Sequence, residues 1–116
     1  MTSSHLTAST LAVQWAGELL HLLPERALWW PGERVLFVAD LHIGKAATYR
    51  ALGQPVPGGT TQQNLARLDA LIATHAPRHI VFLGDFLHAA QARTPRVLAA
   101  LDAWRTTHVG IAMTLV

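Results

Sequence analysis

The 116-residue sequence contains no cysteine. This absence excludes disulfide bridges, thiolate metal sites and cysteine nucleophiles together, and it fits a reducing compartment. No apolar run reaches the roughly 18 residues that a membrane-spanning helix needs. Residues 1–5, MTSSH, lack the positively charged region that begins a signal peptide. We therefore expect a cytoplasmic protein that does not contact a membrane.

Charged side chains are scarce, at 14% of the residues against about 25% in typical soluble domains. Nine Lys and Arg residues oppose seven Asp and Glu residues, and this small, scattered excess excludes a dedicated nucleic-acid-binding arm. The hydrophobic share of 51% excludes a disordered tail. A short chain has a large surface for its volume. The small number of charged residues therefore leaves unexplained which side chains cover that surface.

The pattern of apolar residues predicts a β-hairpin followed by alternating strands and helices. Two apolar segments flank the turn residues Ala16-Gly17, and residues 29–32 are typical of a second turn. Continuous apolar runs then predict strands buried on both faces, and apolar residues three or four apart predict helices. The predicted elements are hairpin strands at 10–15 and 18–23, a strand at 34–39, a helix at 60–75, a strand at 80–83, a helix from 94 and a strand at 109–116.

This order is that of parallel β-α-β units, so we predict an α/β fold. We expect a single domain over residues 1–116, in which residues 1–9 are disordered. Ligands of open parallel sheets bind at the carboxyl ends of the strands. Two of the predicted strands end in a carboxylate, at Asp40 and Asp85.

The segment Asp40-Leu41-His42 places a carboxylate and an imidazole two residues apart, where extended backbone directs both to the same side. Such a pair is a common half-site for Zn²⁺, Mn²⁺ or Fe. Neighbouring parallel strands would bring Asp85 close to Asp40, and two adjacent carboxylates repel unless a cation lies between them. Taken alone, either Asp is as well explained by capping the turn that follows. Two carboxylate-tipped strands joined by one helix favour the metal site.

The stretches VADLHIGKA (residues 38–46) and HIVFLGDFLH (residues 79–88) resemble the calcineurin-like metallophosphoesterases. That superfamily carries Asp-x-His, then Gly-Asp, then Gly-Asn-His-Asp/Glu, and later His and Gly-His-x-His segments. The phrases ALWWP, DLHIGKA and GDFLH are similar to one bacterial branch, the ligase-associated DNA-damage-response endonucleases. The similarity spans most of residues 10–116.

This resemblance implies the N-terminal half of an αββα sandwich that hydrolyses phosphodiesters with two metal ions. Asp40 and His42 would bind the first metal and Asp85 would bridge both, with Mn²⁺ as the expected ion. The Gly-Asn-His motif and the later His motifs have no counterpart in this sequence. We therefore expect a truncated and inactive fragment. Because sheet faces that meet a partner sheet are apolar, we also expect this fragment to expose a hydrophobic face.

Two further side chains are candidates for the same site. His88 stands three residues after Asp85 and is a candidate catalytic residue that orients a phosphate or a metal-bound water; the alternative is a local hydrogen bond in a loop. Lys45 follows Gly44 and is a candidate phosphate contact; the alternative is a solvated surface lysine. By resemblance, the complete protein would act on nucleic acid and associate with a DNA-repair ligase and helicase.

Other interpretations of the sequence remain open at this point. A non-catalytic binding or scaffold module would keep the fold without a complete metal site. An unrelated nucleotide-binding domain is disfavoured because no Gly-rich phosphate loop is present. The remaining histidines have no metal-like spacing and are interpreted as structural or solvated. The four tryptophans are more typical of a core, or of a lid over a core, than of base stacking. These residues are His5, His21, His75, His79 and His108, and Trp15, Trp29, Trp30 and Trp104.

Overall fold

A computed structural model of the chain describes residues 10–24, 26–39, 61–84 and 95–116. Within these ranges the chain forms one six-stranded sheet and two helices. The strands are β1 Leu11–Trp15, β2 Glu18–Leu23, β3 Ala27–Trp30, β4 Val35–Ala39, β5 His79–Leu83 and β6 Ala112–Leu115. The helices are α1 Thr61–His75 and α2 Pro95–Thr107.

The strands lie side by side in the order of the sequence. The first four form an antiparallel meander. From β4 onward the pairing is parallel, with α1 between β4 and β5 in the chain and α2 between β5 and β6. This topology confirms the predicted α/β class and the predicted order of a hairpin followed by β-α-β-α-β.

The first hairpin turns through Ala16 and Gly17, which have φ angles of 51° and 83°. Two consecutive positive φ values are typical of the type I′ turn, whose twist matches that of the strands it connects. The turn pairs Trp15 with Glu18, so the predicted hairpin is confirmed.

One strand was missing from the sequence prediction. Residues 29–32 were interpreted as a turn, but Trp29 and Trp30 end β3, and the turn comes after them at residues 31–34. There the Arg34 N–H donates to the Pro31 carbonyl at 3.2 Å, and Arg34 has a φ of 54°. Burial of Trp29 under the helices stabilises the strand conformation of this Trp-Trp pair. The antiparallel part of the sheet therefore has four strands.

The hydrophobic core lies between one face of the sheet and the two helices. Leu36 and Ile80 are fully buried on the central strands, and Leu68 of α1 packs against them. The other buried apolar side chains are Ala27, Trp29, Val38, Leu65, Phe82, Val97 and Trp104. The alternation of strand side chains places these sheet residues on the same face, which fixes both helices to that face.

A carboxylate joins the two helices at their outer surface. Asp69 of α1 accepts hydrogen bonds from Trp104 Nε1 at 2.8 Å and from His108 Nε2 at 2.7 Å. The Trp104 and His108 rings lie 5.1 Å apart. This cluster orients α2 on α1 and satisfies the indole N–H of a buried tryptophan.

The opposite face of the sheet is also apolar, but no described helix or strand packs on it. We call it the open face; none of its side chains is buried. Its members follow from the strand register: Leu11, Val13, Trp15, Glu18, Leu20, Leu22, Leu28, Trp30, Val35, Phe37, Ala39, His79, Val81, Leu83, Ala112 and Thr114. The prediction that the strands are buried on both faces is therefore wrong for the described part of the chain. The expected exposed hydrophobic face is present.

Candidate functional site

Two central strands run parallel and end side by side. The register pairs Ala39, the last residue of β4, with Leu83, the last residue of β5. In the sequence, Asp40 follows Ala39 directly, and Gly84-Asp85 follows Leu83. The described strands thus bring together the two points from which the carboxylate-bearing segments leave the sheet.

The predicted site residues themselves lie outside the described residues. This holds for the expected metal ligands Asp40, His42 and Asp85, for the candidate catalytic residue His88 and for the candidate phosphate contact Lys45. The structure therefore describes the ends of β4 and β5, which precede the predicted site. The assignments of these five side chains stay predictions.

Gly84 determines how the chain leaves β5. Its φ angle is 74°, in the left-handed region that side chains with a Cβ rarely adopt. The backbone therefore turns sharply at the residue immediately before Asp85. The Gly-Asp pair in the sequence thus has a conformational reason: glycine makes the turn, and the residue after it is the candidate ligand.

Core packing restrains the ends of β4 and β5. Val38 and Phe82, near the ends of β4 and β5, are both buried. On the outer side of β5, the Val116 N–H donates to the Phe82 carbonyl at 2.9 Å. Packing and hydrogen bonds therefore hold the strand ends that precede the candidate ligands, which is how rigid elements support a site.

The amino-terminal ends of the parallel strands carry structural hydrogen bonds. Arg34 Nη2 donates to the Ala76 carbonyl at 2.6 Å, just past the end of α1, where a cation also opposes the negative end of the helix dipole. Arg78 donates to the Glu33 side chain at 3.1 Å and to its carbonyl at 2.8 Å. These arginines therefore stabilise the amino-terminal ends of β4 and β5.

Three of the remaining histidines have structural partners, as the sequence predicted. His79 lies 2.7 Å from Thr114 Oγ1, His75 stacks on Trp29 with ring centroids 5.0 Å apart, and His108 donates to Asp69. Across the described ranges, no group of three or more His, Asp or Glu side chains is placed to hold a metal ion.

The tryptophans divide between the two faces of the sheet. Trp29 and Trp104 lie in the core, as predicted. Trp30 lies on the open face and donates its indole N–H to Glu18 Oε1 at 2.9 Å. Trp15 lies on the same face and is 73% exposed, so the prediction of a core position is wrong for Trp15.

Sequence reasoning also missed a groove on the open face. It has a volume of about 460 Å³ and is lined by apolar side chains, among them Trp15, Trp30, Phe37 and Leu83. The signal was present in the sequence as alternate apolar positions on every strand. It could not be distinguished from strands covered on both sides, because both give the same apolar runs.

One solved structure shows what this chain is similar to. It is the crystal structure of the nuclease MPE from Pseudomonas putida, with 43% sequence identity and a TM-score of 0.79. The match covers 92% of this chain and 49% of that nuclease. This chain therefore spans about half the length of a nuclease whose fold it shares.

No protein-family model matches the chain, and no curated protein matches it. Neither described helix is both long and apolar enough to cross a membrane.

Proposed function

We propose that this chain is part of a metal-dependent phosphodiesterase that cleaves DNA, within the calcineurin-like metallophosphoesterases. The similarity to the Pseudomonas putida nuclease carries this proposal, because 43% identity over 92% of the chain accompanies a shared fold. The Asp-Leu-His and Gly-Asp segments follow the paired ends of β4 and β5. Parallel sheets bind their ligands at that end.

In this proposal Asp40 and His42 would hold one divalent ion, and Asp85 would be shared between that ion and a second. The donor set fits, because carboxylate and imidazole ligands suit Mn²⁺, Zn²⁺ and Fe. Bound metal ions would activate water and stabilise the charge that develops on the phosphoryl oxygens. We expect two Mn²⁺ ions in a complete site.

The chain's own residues position this chemistry. Asp40 follows β4, and Asp85 follows β5 and Gly84, which provides the turn before it; the two strands are paired and carry buried side chains. His88 would orient the substrate phosphate or the attacking water. Lys45 would neutralise charge on the phosphate.

These 116 residues supply only part of a two-metal site. Two ions about 3.5–4 Å apart need more protein ligands than Asp40, His42 and Asp85 provide. The matched nuclease has about as much chain again without a counterpart here. We therefore propose that the complete site takes further ligands from such a second half, and that residues 1–116 alone give no robust turnover.

The finer assignment is to the ligase-associated DNA-damage-response endonucleases, represented by PdeM. The ALWWP, DLHIGKA and GDFLH phrases support it. It implies a cytoplasmic enzyme of DNA repair that works beside a ligase and a helicase.

A chimera tests the function directly. The part of the Pseudomonas putida nuclease that matches this chain is replaced by residues 1–116, which the shared fold makes feasible. We expect the folded chimera to hydrolyse bis-(p-nitrophenyl) phosphate and DNA with Mn²⁺. We expect Asp85→Asn to abolish the activity. Asp102→Asn, at an exposed carboxylate of α2, is the matched control and should keep it.

The isolated chain is assayed in parallel and should be inactive. Robust turnover by the isolated chain contradicts the incomplete site. A folded chimera without activity, or one in which Asp85→Asn stays active, contradicts the proposed function.

A further inference from the structure

Both helices begin at the edge of the sheet where the parallel strands end. The end of α1 lies at the start of β4, because Arg34 Nη2 donates to the Ala76 carbonyl at 2.6 Å. The helix of a β-α-β unit runs back along the sheet, antiparallel to its strands. The 15 residues of α1 rise about 22 Å, more than the roughly 16 Å of a short strand such as β4. Likewise, α2 ends beside the start of β6, where the Ile111 N–H donates to the His108 carbonyl at 3.0 Å. The first turns of both helices therefore lie at the edge where the proposed metal site follows β4 and β5.

The first two turns of each helix carry positive charge only. They contain no Asp or Glu and one arginine each, Arg67 in α1 and Arg96 in α2. Both arginines are exposed. The carboxylates of the helices, Asp69 and Asp102, come later in the two elements, and Asp69 is hydrogen bonded to side chains that follow in the chain. The net charge of the whole chain is only +2, so this edge carries a local excess of positive charge.

A buried amide holds one of these arginines in place. Arg67 Nη2 donates to Asn64 Oδ1 at 2.5 Å, and Asn64 is only 5% exposed. This contact directs the Arg67 guanidinium toward the first turn of α1, where Asn64 lies. In the described part of the chain, Arg96 has no hydrogen bond or ion pair, and Arg67 has only its bond to Asn64. By contrast, Arg34 and Arg78, at the amino-terminal ends of the strands, both bind protein acceptors. A guanidinium has several N–H donors, so donors remain free on both Arg67 and Arg96.

We propose that Arg67 and Arg96 contact the phosphodiester backbone of DNA beside the site of cleavage. The inference rests on the proposed nuclease function and adds the surface that holds the polymer. An exposed guanidinium binds phosphate oxygens in a bidentate manner, and such contacts position a nucleic acid without reading its sequence. The two arginines belong to helices that pack on each other, about 10 Å apart. One DNA strand a few nucleotides long therefore reaches both.

The test measures DNA binding by the 116-residue chain without metal. A fluorescently labelled single strand of about 20 nucleotides is titrated with the protein in EDTA at about 50 mM salt, and its fluorescence anisotropy is recorded. The wild type should bind, and its affinity should fall as the salt concentration rises. Arg67→Gln and Arg96→Gln should each raise the dissociation constant roughly fivefold and reduce the dependence of log K on log salt by about 0.7. The double variant should show both losses.

Arg105→Gln is the matched control for the change of charge. Arg105 is exposed near the end of α2, away from the edge where the helices begin, and the substitution removes the same charge from the same helix as Arg96→Gln. We expect it to bind DNA like the wild type. Arg96→Gln breaks no hydrogen bond or ion pair of the described residues, so its effect is separate from folding. Circular dichroism confirms that each variant is folded.

The chimera with the Pseudomonas putida nuclease keeps this inference apart from the proposed function. A chimera that fails to hydrolyse bis-(p-nitrophenyl) phosphate contradicts the nuclease function, whereas binding in EDTA needs neither metal nor turnover. In an active chimera, Arg67→Gln and Arg96→Gln should raise the KM for DNA, and Arg105→Gln should leave it unchanged.

Three outcomes of the binding measurement would overturn the proposal. They are a wild type that does not bind DNA, an Arg67→Gln or Arg96→Gln protein that binds as tightly as the wild type, and a loss of affinity for Arg105→Gln as large as that for Arg96→Gln. Each would identify the arginines at the beginning of the helices as ordinary solvated side chains.

Discussion

Ala39 and Leu83 are register partners at the last positions of two neighbouring parallel strands. Their pairing means that the segments beginning with Asp40 and Gly84-Asp85 leave the sheet at the same place. The preceding residues of the two strands, Val38 and Phe82, are buried on the face that the helices cover. Main-chain hydrogen bonds and packing therefore set where the two segments that carry the candidate ligands leave the sheet.

Gly84→Ala should weaken both the fold and the candidate metal site. A residue with a Cβ at a φ of 74° costs roughly 1 kcal/mol or more, and relief of that strain redirects the chain before Asp85. We expect a lower urea midpoint and weaker Mn²⁺ binding. Gly110→Ala is the control, since a Cβ there would meet no atom within 4 Å. Equal effects of the two substitutions would contradict this role of Gly84.

Asp69→Ala should destabilise the contact between the helices. The substitution leaves the indole N–H of the buried Trp104 without its acceptor and removes the His108 contact. A lost partner of a buried polar group costs about 1–3 kcal/mol, measurable by urea unfolding. Asp102→Ala, at an exposed position of α2, should change stability by less than about 0.5 kcal/mol. An Asp69→Ala protein as stable as the wild type would show that the cluster contributes nothing.

The open face should bind an apolar fluorescent dye. Exposed apolar patches of several hundred Å² are unusual on monomers and bind such dyes. We expect enhanced dye emission in the presence of the isolated chain. Leu22→Lys should reduce the emission more than Leu19→Lys, because only Leu22 lies on that face. A wild type without dye binding at any concentration would contradict an accessible open face.

Much of the fold could be predicted from local patterns. The hairpin at Ala16-Gly17, the helix that ends before Pro77 and the apolar strand at Ile80 all have signals within a few residues. The strand Ala27–Trp30 had no such signal, because Pro31-Gly32 beside it is typical of a turn. Its assignment depends on the burial of Trp29 under the helices, which is a tertiary effect.

The open face shows a different limit. The run from Val35 to Ala39 is equally apolar at alternate positions whether one face of the sheet is covered or both. Only the packing shows that Leu36 and Val38 are buried while Phe37 is not. For the candidate site, the sequence predicted two carboxylate-tipped strands at one edge, and the register confirms that these strand ends are neighbours. The convergence of the ligands stays a prediction, because those side chains follow the described strands.

Mn²⁺ binding by the isolated chain tests the central claim most directly. Free Mn²⁺ is titrated with the protein and followed by its electron paramagnetic resonance signal, which decreases as the ion binds. We predict stoichiometric binding by the wild type, an affinity at least about tenfold lower for Asp85→Asn, and unchanged binding for Asp102→Asn. A wild type that binds no Mn²⁺, or an Asp85→Asn protein that binds it as tightly as the wild type, would contradict the account and favour a scaffold without a metal site.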